Sequence, residues 1–167
     1  MLKLDKVKQT NTKSFEIDFI HFWKFNNIKR YSIRLNQTYT ENNTEHSYFV
    51  AVILCRLMYK YGIQNYNLLK YALIHDIGEL ITGDINTLCK TPELKKVLKD
   101  IEKPAIEAYS KYLDIAPVSY KEEMLLKAAD VLTTYFYGKM NKVADISESG
   151  WRLFKHYLKE FKNANSK

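Results

Sequence analysis

Apolar residues recur at helical spacing along most of the chain, which predicts an all-α fold. The clearest stripe joins His46, Val50, Ile53 and Leu57. Gly62 follows this stripe at the point where a helix commonly ends on a residue with left-handed backbone conformation. A polar stretch before the stripe breaks the helical pattern. The number of such apolar segments predicts a bundle of about six helices.

Capping residues and helix-stopping residues mark the ends of the other predicted helices. Ser119 is followed by Glu122 at the spacing of a capping box. Proline after a threonine, as in Thr91-Pro92, is typical of a first helical turn. The further segments are a helix capped by Ser14, a helix over Asn67–Thr82 that Gly83 ends, and a last helix that opens at Ser149 or a neighbour.

Length and composition favour a single globular domain over residues 1–167. Hydrophobic residues make up 46% of the chain and charged residues 27%, so neither a disordered nor a fibrous protein fits. The chain has 5 glycines and 3 prolines, which leaves few turns to connect many short strands. Composition therefore supports the helical fold.

The chain has no segment suited to a membrane or to secretion. Its longest apolar run, 48–55, has eight residues, whereas a spanning helix needs about 20. Residues 1–14 are polar and basic and lack the apolar region of a secretory signal. Cys55 and Cys89 match no Cys-x-x-Cys pattern and are predicted to be free thiols. We therefore expect a cytoplasmic protein that does not associate with membranes.

The net charge of +7 raises the possibility of nucleic-acid binding, because cations attract phosphates. Much of the excess, however, is in scattered lysines near the two ends of the chain. No run of five basic residues occurs between them. Specific nucleic-acid binding is therefore not predicted.

Several polar residues interrupt apolar helical segments where a charge is costly. His75, Asp76 and Glu79 fall in a segment rich in Leu, Ile and Ala, and an ionised carboxylate there needs a partner or a metal. His46 and Asp130 interrupt two other apolar segments in the same way. Two imidazoles and two carboxylates suit a divalent ion such as Mn, Fe, Co, Ni or Zn. Helical bundles build such sites from facing helices.

The order of these residues resembles the H…HD…D signature of HD-domain metal-dependent phosphohydrolases. Within that group the chain is similar to the YfbR-like 5'-deoxynucleotidases and to the phage dATP triphosphohydrolases. The likeness runs from about Arg30 to Asp130 and implies an HD-type helical bundle. Four local strings carry it: Thr44-Glu45-His46-Ser47, His75-Asp76-Ile77-Gly78-Glu79, Thr82-Gly83-Asp84 and Lys127-Ala128-Ala129-Asp130.

The resemblance also implies a role for each residue of the signature. His46, His75, Asp76 and Asp130 would hold one divalent transition-metal ion. Glu79 would be the general acid or base. Asp84 would be a second carboxylate that orients water or the sugar.

Further residues are implied as contacts to a small deoxynucleotide substrate. Arg30, Lys90 and Lys127 would bind phosphate oxygens, and Tyr31 with Ile33 would line the nucleoside pocket. Additional Mg or Mn ions on the substrate phosphates are compatible with this arrangement.

The expected reaction is removal of phosphate from deoxynucleoside 5'-monophosphates. One alternative is a triphosphohydrolase that releases tripolyphosphate from a deoxynucleoside triphosphate such as dATP. Another alternative, of a different class, is a catalytically silent HD module that binds a nucleotide as a regulator. By analogy with the family, a homo-oligomer is also expected.

Overall fold

The computed structural model describes residues 20–30, 40–85 and 90–164, and most of these residues are helical. The prediction of an all-α fold with about six helices is confirmed, since α4 below is a single turn. In chain order the helices of the described part are α1 (Ile20–Phe25), α2 (Asn43–Tyr61), α3 (Tyr66–Ile74), α4 (Glu79–Thr82), α5 (Pro92–Tyr112), α6 (Tyr120–Met140) and α7 (Ala144–Asn163).

Helix α2 is central and has a capping residue at each end. The Asn42 side chain accepts a hydrogen bond from the Glu45 amide, and the Glu45 carboxylate accepts one from the Asn42 amide. Asn42 belongs to the polar stretch that precedes the His46 stripe in the sequence. Gly62 ends the helix with φ of 65°, as predicted. Val50 and Leu54 are fully buried in between.

Helix α3 is shorter than the sequence predicted. The expected helix over Asn67–Thr82 is wrong in its second half, because α3 ends at Ile74 and α4 covers only Glu79–Thr82. Between them the backbone forms tighter turns, in which the Ile77 amide donates to the Ile74 carbonyl and the Glu79 amide donates to the Asp76 carbonyl. The His-Asp pair therefore lies on a break between two helices.

Helices α6 and α7 pack against each other in antiparallel fashion at two glycines. A Cβ atom on Gly138 would lie 2.5 Å from the Ser147 amide nitrogen, and one on Gly150 would lie 2.5 Å from the Tyr135 amide nitrogen. Helix α7 begins at Ala144, so the predicted opening at Ser149 is wrong. No side-chain cap marks the true start, which follows a turn after α6, and the sequence therefore lacks the usual signal.

Two apolar clusters support the bundle. The smaller one contains Ile74 and Ile77, which flank the break after α3, together with Phe25 and Tyr109. The larger cluster comes from α2, α3, α6 and α7 and comprises Val50, Leu54, Leu57, Met58, Leu68, Ala72, Met124, Leu125, Leu126, Ala128, Ala129 and Phe161.

None of the described helices is both long and apolar enough to cross a membrane.

The close packing at Gly150 generates a stability prediction. Alanine normally stabilises a helix by about 1 kcal/mol relative to glycine. In Gly150→Ala, however, the new methyl group would meet the α6 backbone, and overpacking of this kind costs about 1–3 kcal/mol. We therefore expect a lower free energy of unfolding in a urea titration. The exposed Glu148→Ala on the same helix should stay near the wild type, and a more stable Gly150→Ala would contradict this packing.

Candidate metal centre and active site

His46 is buried in the first turns of α2, with both ring nitrogens close to polar groups. It is 0% exposed. Its Nδ1 atom lies 3.1 Å from the Thr133 hydroxyl oxygen and 3.3 Å from Glu41 Oε2. Its Nε2 atom lies on the other side of the ring, 3.0 Å from Asp130 Oδ1 on α6. The capping box at the start of α2 thus places an imidazole against the middle of α6.

The break after α3 orients the second imidazole. His75 Nδ1 lies 2.7 Å from the carbonyl oxygen of Ala72, which would accept the Asp76 amide in an uninterrupted α-helix. Because a carbonyl only accepts, Nδ1 must carry the proton and Nε2 the lone pair. The interaction accounts for the break and directs the His75 Nε2 atom into the same space as His46 Nε2.

Three predicted ligands come together around one point. His46, His75 and Asp130 offer ligand atoms that all lie within 4.8 Å of one another. The two imidazole rings are 5.4 Å apart between centroids. Asp76 Oδ2 is 3.6 Å from His46 Nε2 and 3.4 Å from His75 Nε2, so the fourth predicted ligand borders the same point.

The donor set fits a bound cation. Among the described residues, the buried Nε2 atoms of His46 and His75 have no hydrogen-bond partner of suitable geometry. Buried polar atoms are normally paired, so two such atoms facing two carboxylates indicate a ligand position. A mixed set of imidazoles and carboxylates suits a divalent transition ion. The structure therefore contains a candidate His/Asp metal site.

The charges around the site favour an additional positive charge. Burial and the charge of Arg30 act to lower the pKa of His46, but contacts with Asp130 and Glu41 outweigh them and raise it to about 9. Although burial acts to raise the pKa of Asp130, its contact with His46 holds that pKa well below the ordinary range. A metal ion would occupy the same negative environment.

Arg30 lies within the site and contacts acidic groups on two sides. Its Nη1 atom donates a hydrogen bond of 2.8 Å to Asp76 Oδ2 and lies 4.0 Å from Glu79 Oε2. Burial acts to raise the pKa of Asp76, but the charges of His75 and Arg30 keep it below its ordinary value. Arg30 therefore brings a fixed positive charge beside the metal position.

Glu79 is buried at the start of α4, beside Arg30. The Asn43 amide donates a 2.6 Å hydrogen bond to Glu79 Oε2. Burial, followed by the negative charge of Asp76, raises the pKa of Glu79 to about 8, and the charge of Asp84 acts in the same direction. A carboxyl group in this environment can exchange a proton near neutral pH.

The remaining predicted substrate contacts are less directly connected to the centre. Lys127 forms a 2.6 Å ion pair with Glu123, one turn before it on α6. Lys90 is half-buried and lies two residues before the start of α5. Tyr31 and Ile33 lie outside the described residues. The roles of these four residues stay predictions.

Three buried residues of the site were not predicted from the sequence. Glu41 lies just before α2, Asn43 is the first residue of α2, and Thr133 lies one turn after Asp130. All three are less than 5% exposed. The signal that could have found Glu41 and Asn43 is the run of polar residues directly before His46, of which only Asn42 is the N-cap.

The family comparison decides where the chain belongs. The family described as 5'-deoxynucleotidase YfbR-like matches residues 19–160. The chain belongs to this family. The resemblance inferred from the four strings is thereby confirmed, and so is the prediction of an HD-type phosphohydrolase.

Relatives with assigned names include both enzyme types expected from the sequence. The chain is 30% identical to the 5'-deoxynucleotidase of Shewanella oneidensis over 140 residues, which cover 70% of each protein. It is 34% identical to a 5'-deoxynucleotidase of Yersinia pestis over 137 residues, 70% of this chain and 69% of that protein. It is 36% identical to the dATP triphosphohydrolase of cyanophage S-2L over 78 residues, which span 45% of this chain and less than half, 44%, of the phage protein.

Solved structures confirm the HD-type helical bundle. The cyanophage S-2L HD phosphohydrolase, bound to dA and one catalytic Zn²⁺ ion, superposes with a TM-score of 0.70 at 22% identity, covering 89% of this chain and 96% of that one. A conserved hypothetical protein from Pyrococcus furiosus superposes with a TM-score of 0.57 at 24% identity, covering 89% and 97%. At these identities the likeness concerns the fold.

The ligand geometry generates a metal-binding prediction. In Asp130→Ala three candidate ligands remain and one negative charge is lost. Loss of a group that hydrogen-bonds to a metal ligand typically lowers metal affinity by roughly 10–100-fold. We expect loss of a ligand itself to lower Zn²⁺ affinity by more than this. Isothermal titration of chelator-stripped protein measures this affinity. The exposed Asp100→Ala on α5 is the matched control. Wild-type affinity in Asp130→Ala would refute the site.

Proposed function

We propose that the protein is a metal-dependent phosphohydrolase that removes the phosphate from deoxynucleoside 5'-monophosphates. The single observation that carries this proposal is the convergence of two buried imidazole nitrogens and two carboxylates beside the buried acid Glu79. Membership of the YfbR-like family and the names of the bacterial relatives support this substrate class.

His46, His75, Asp76 and Asp130 would hold the ion, which we expect to be Co, Mn, Zn, Ni or Fe. Zinc has particular support because the cyanophage structure contains a catalytic Zn²⁺ ion. When bound, such an ion lowers the pKa of a coordinated water and polarises a phosphoryl oxygen. Additional Mg or Mn ions on the substrate phosphates are compatible with the proposal.

The chain's own residues provide proton transfer and charge compensation. Asn43 holds the Glu79 carboxyl group in place, one turn beyond the ligands, where it would move a proton to or from the reacting oxygens. Asp84 would orient water or the sugar. Arg30, fixed by Asp76, would offset negative charge on the phosphoryl group.

Four further residues complete the proposed substrate site. Lys90 and Lys127 would bind outer phosphate oxygens, and Tyr31 with Ile33 would line the nucleoside pocket. A silent regulatory module is the weaker alternative, because a domain that only binds nucleotide has no need of a buried acid beside a complete ligand set.

A second candidate function is hydrolysis of deoxynucleoside triphosphates with release of tripolyphosphate. It is supported by the similarity to the cyanophage dATP triphosphohydrolase in both sequence and fold. Both reactions break the bond between the 5' oxygen and the phosphorus that carries the ester. They differ in the number of cations needed for the phosphate tail.

Surface properties support a proposal for location and assembly. The exposed free thiol of Cys55 suits a reducing compartment and supports a cytoplasmic location. Exposed apolar side chains on α2 and α6, among them Phe49, Val52 and Phe136, support a homo-oligomer. Light scattering coupled to size-exclusion chromatography would measure the subunit number.

A substrate panel separates the candidate functions. The metal-loaded protein is incubated with deoxy- and ribonucleoside mono- and triphosphates, and the products are identified by chromatography. Release of orthophosphate from deoxynucleoside monophosphates is the expected result. Tripolyphosphate from the triphosphates would favour the second candidate, and no product from any member would contradict both.

Glu79 provides a direct test of the proton-transfer role. In Glu79→Gln the side chain keeps its size and can still accept from Asn43, but it can no longer exchange a proton. We expect turnover to fall by about 10²–10⁴-fold while Zn²⁺ affinity is kept. Glu107→Gln, an exposed acid on α5, is the control. Full turnover in Glu79→Gln would remove this residue from the mechanism.

A further inference from the structure

The Nδ1 side of His46 faces two buried polar groups to which the proposed chemistry assigns no task. Glu41 Oε2 lies 3.3 Å from His46 Nδ1, and the Thr133 hydroxyl oxygen lies 3.1 Å from it. Glu41 is 3% exposed and Thr133 is 4% exposed. Polar groups buried this deeply are costly unless they make specific interactions.

The position of the proton on the neutral His46 ring follows from the groups that face Nδ1. The Thr133 hydroxyl donates a 2.6 Å hydrogen bond to the Asp130 carbonyl oxygen, so it offers only a lone pair to His46. The Glu41 carboxylate is also an acceptor. With two acceptors on this side, Nδ1 keeps its proton, and Nε2 is the atom left to bind a cation.

Glu41 also supports the opposite side of the centre through Arg30. The Arg30 amide donates to the Glu41 carbonyl at 2.9 Å, and Arg30 Nε lies 3.6 Å from Glu41 Oε2. The same guanidinium donates to Asp76, a predicted ligand. One buried carboxylate thus contacts the predicted ligand His46 directly and the predicted ligand Asp76 through Arg30.

We propose that Glu41 and Thr133 are positioning residues that fix the tautomer and ring orientation of His46 and thereby set the metal affinity. The inference rests on the proposed metal centre. Thr133 would additionally tie the backbone of Asp130 to His46, so that a ligand from α2 and a ligand from α6 keep a constant separation. Groups that contact metal ligands in this way contribute about 10–100-fold to metal affinity in proteins.

The test measures metal binding without turnover. Chelator-stripped wild type, Glu41→Gln and Thr133→Val are titrated with Zn²⁺ by calorimetry and with Co²⁺ by visible absorption, which reports ligand geometry. Thr133→Ser keeps the hydroxyl, and Glu148→Gln alters an exposed acid on α7, so these two are the matched controls. Thermal unfolding of each metal-free variant measures any purely structural effect.

We expect Glu41→Gln and Thr133→Val each to weaken Zn²⁺ binding by about 10–100-fold and to change the Co²⁺ spectrum, with both controls close to wild type. Unchanged affinity with a lower melting temperature of the metal-free protein would overturn the positioning role. Should Glu41→Gln fail to fold, equal affinities of Thr133→Val and Thr133→Ser would overturn it. Wild type that binds neither ion would refute the metal centre itself.

Discussion

The structure depends on placing two imidazoles and two carboxylates around one point in the interior. His46 Nε2 is 3.0 Å from Asp130 and 3.6 Å from Asp76, so the two negative groups share a small space. Such a cluster is unfavourable in a medium of low polarity unless positive charge balances it. Arg30 supplies part of that charge, and the raised pKa of His46 shows that the position favours more. A divalent cation satisfies the same requirement and leaves the imidazoles neutral.

The ligands are held by local backbone interactions more than by long side-chain networks. The capping box of Asn42 starts α2 just before His46, and the His75 ring takes the carbonyl that would have continued α3. Thr133 takes the carbonyl of Asp130. Each interaction satisfies a backbone group and also orients a predicted ligand. The larger apolar cluster holds α2, α3 and α6 in contact.

Sequence patterns revealed the residues whose polarity conflicts with their surroundings. His46, His75, Asp76, Asp130 and Glu79 stand out because each interrupts an apolar stripe. Glu41, Asn43 and Thr133 do not stand out, because polar residues are ordinary before a helix, and a threonine can satisfy its own helix backbone. Their importance arises only when three helices bring them to one place. The start of α7 escaped prediction because no side chain caps it. The end of α3 escaped prediction because a helical pattern does not reveal that the His75 ring contacts the Ala72 carbonyl.

The most direct test of the central claim is anomalous X-ray diffraction from crystals of the protein grown with Zn²⁺. The account predicts one anomalous peak at about 2.0–2.2 Å from the Nε2 atoms of His46 and His75 and from carboxylate oxygens of Asp76 and Asp130. Crystals with no peak between these side chains, or with the two histidines bound through Nδ1, would contradict it.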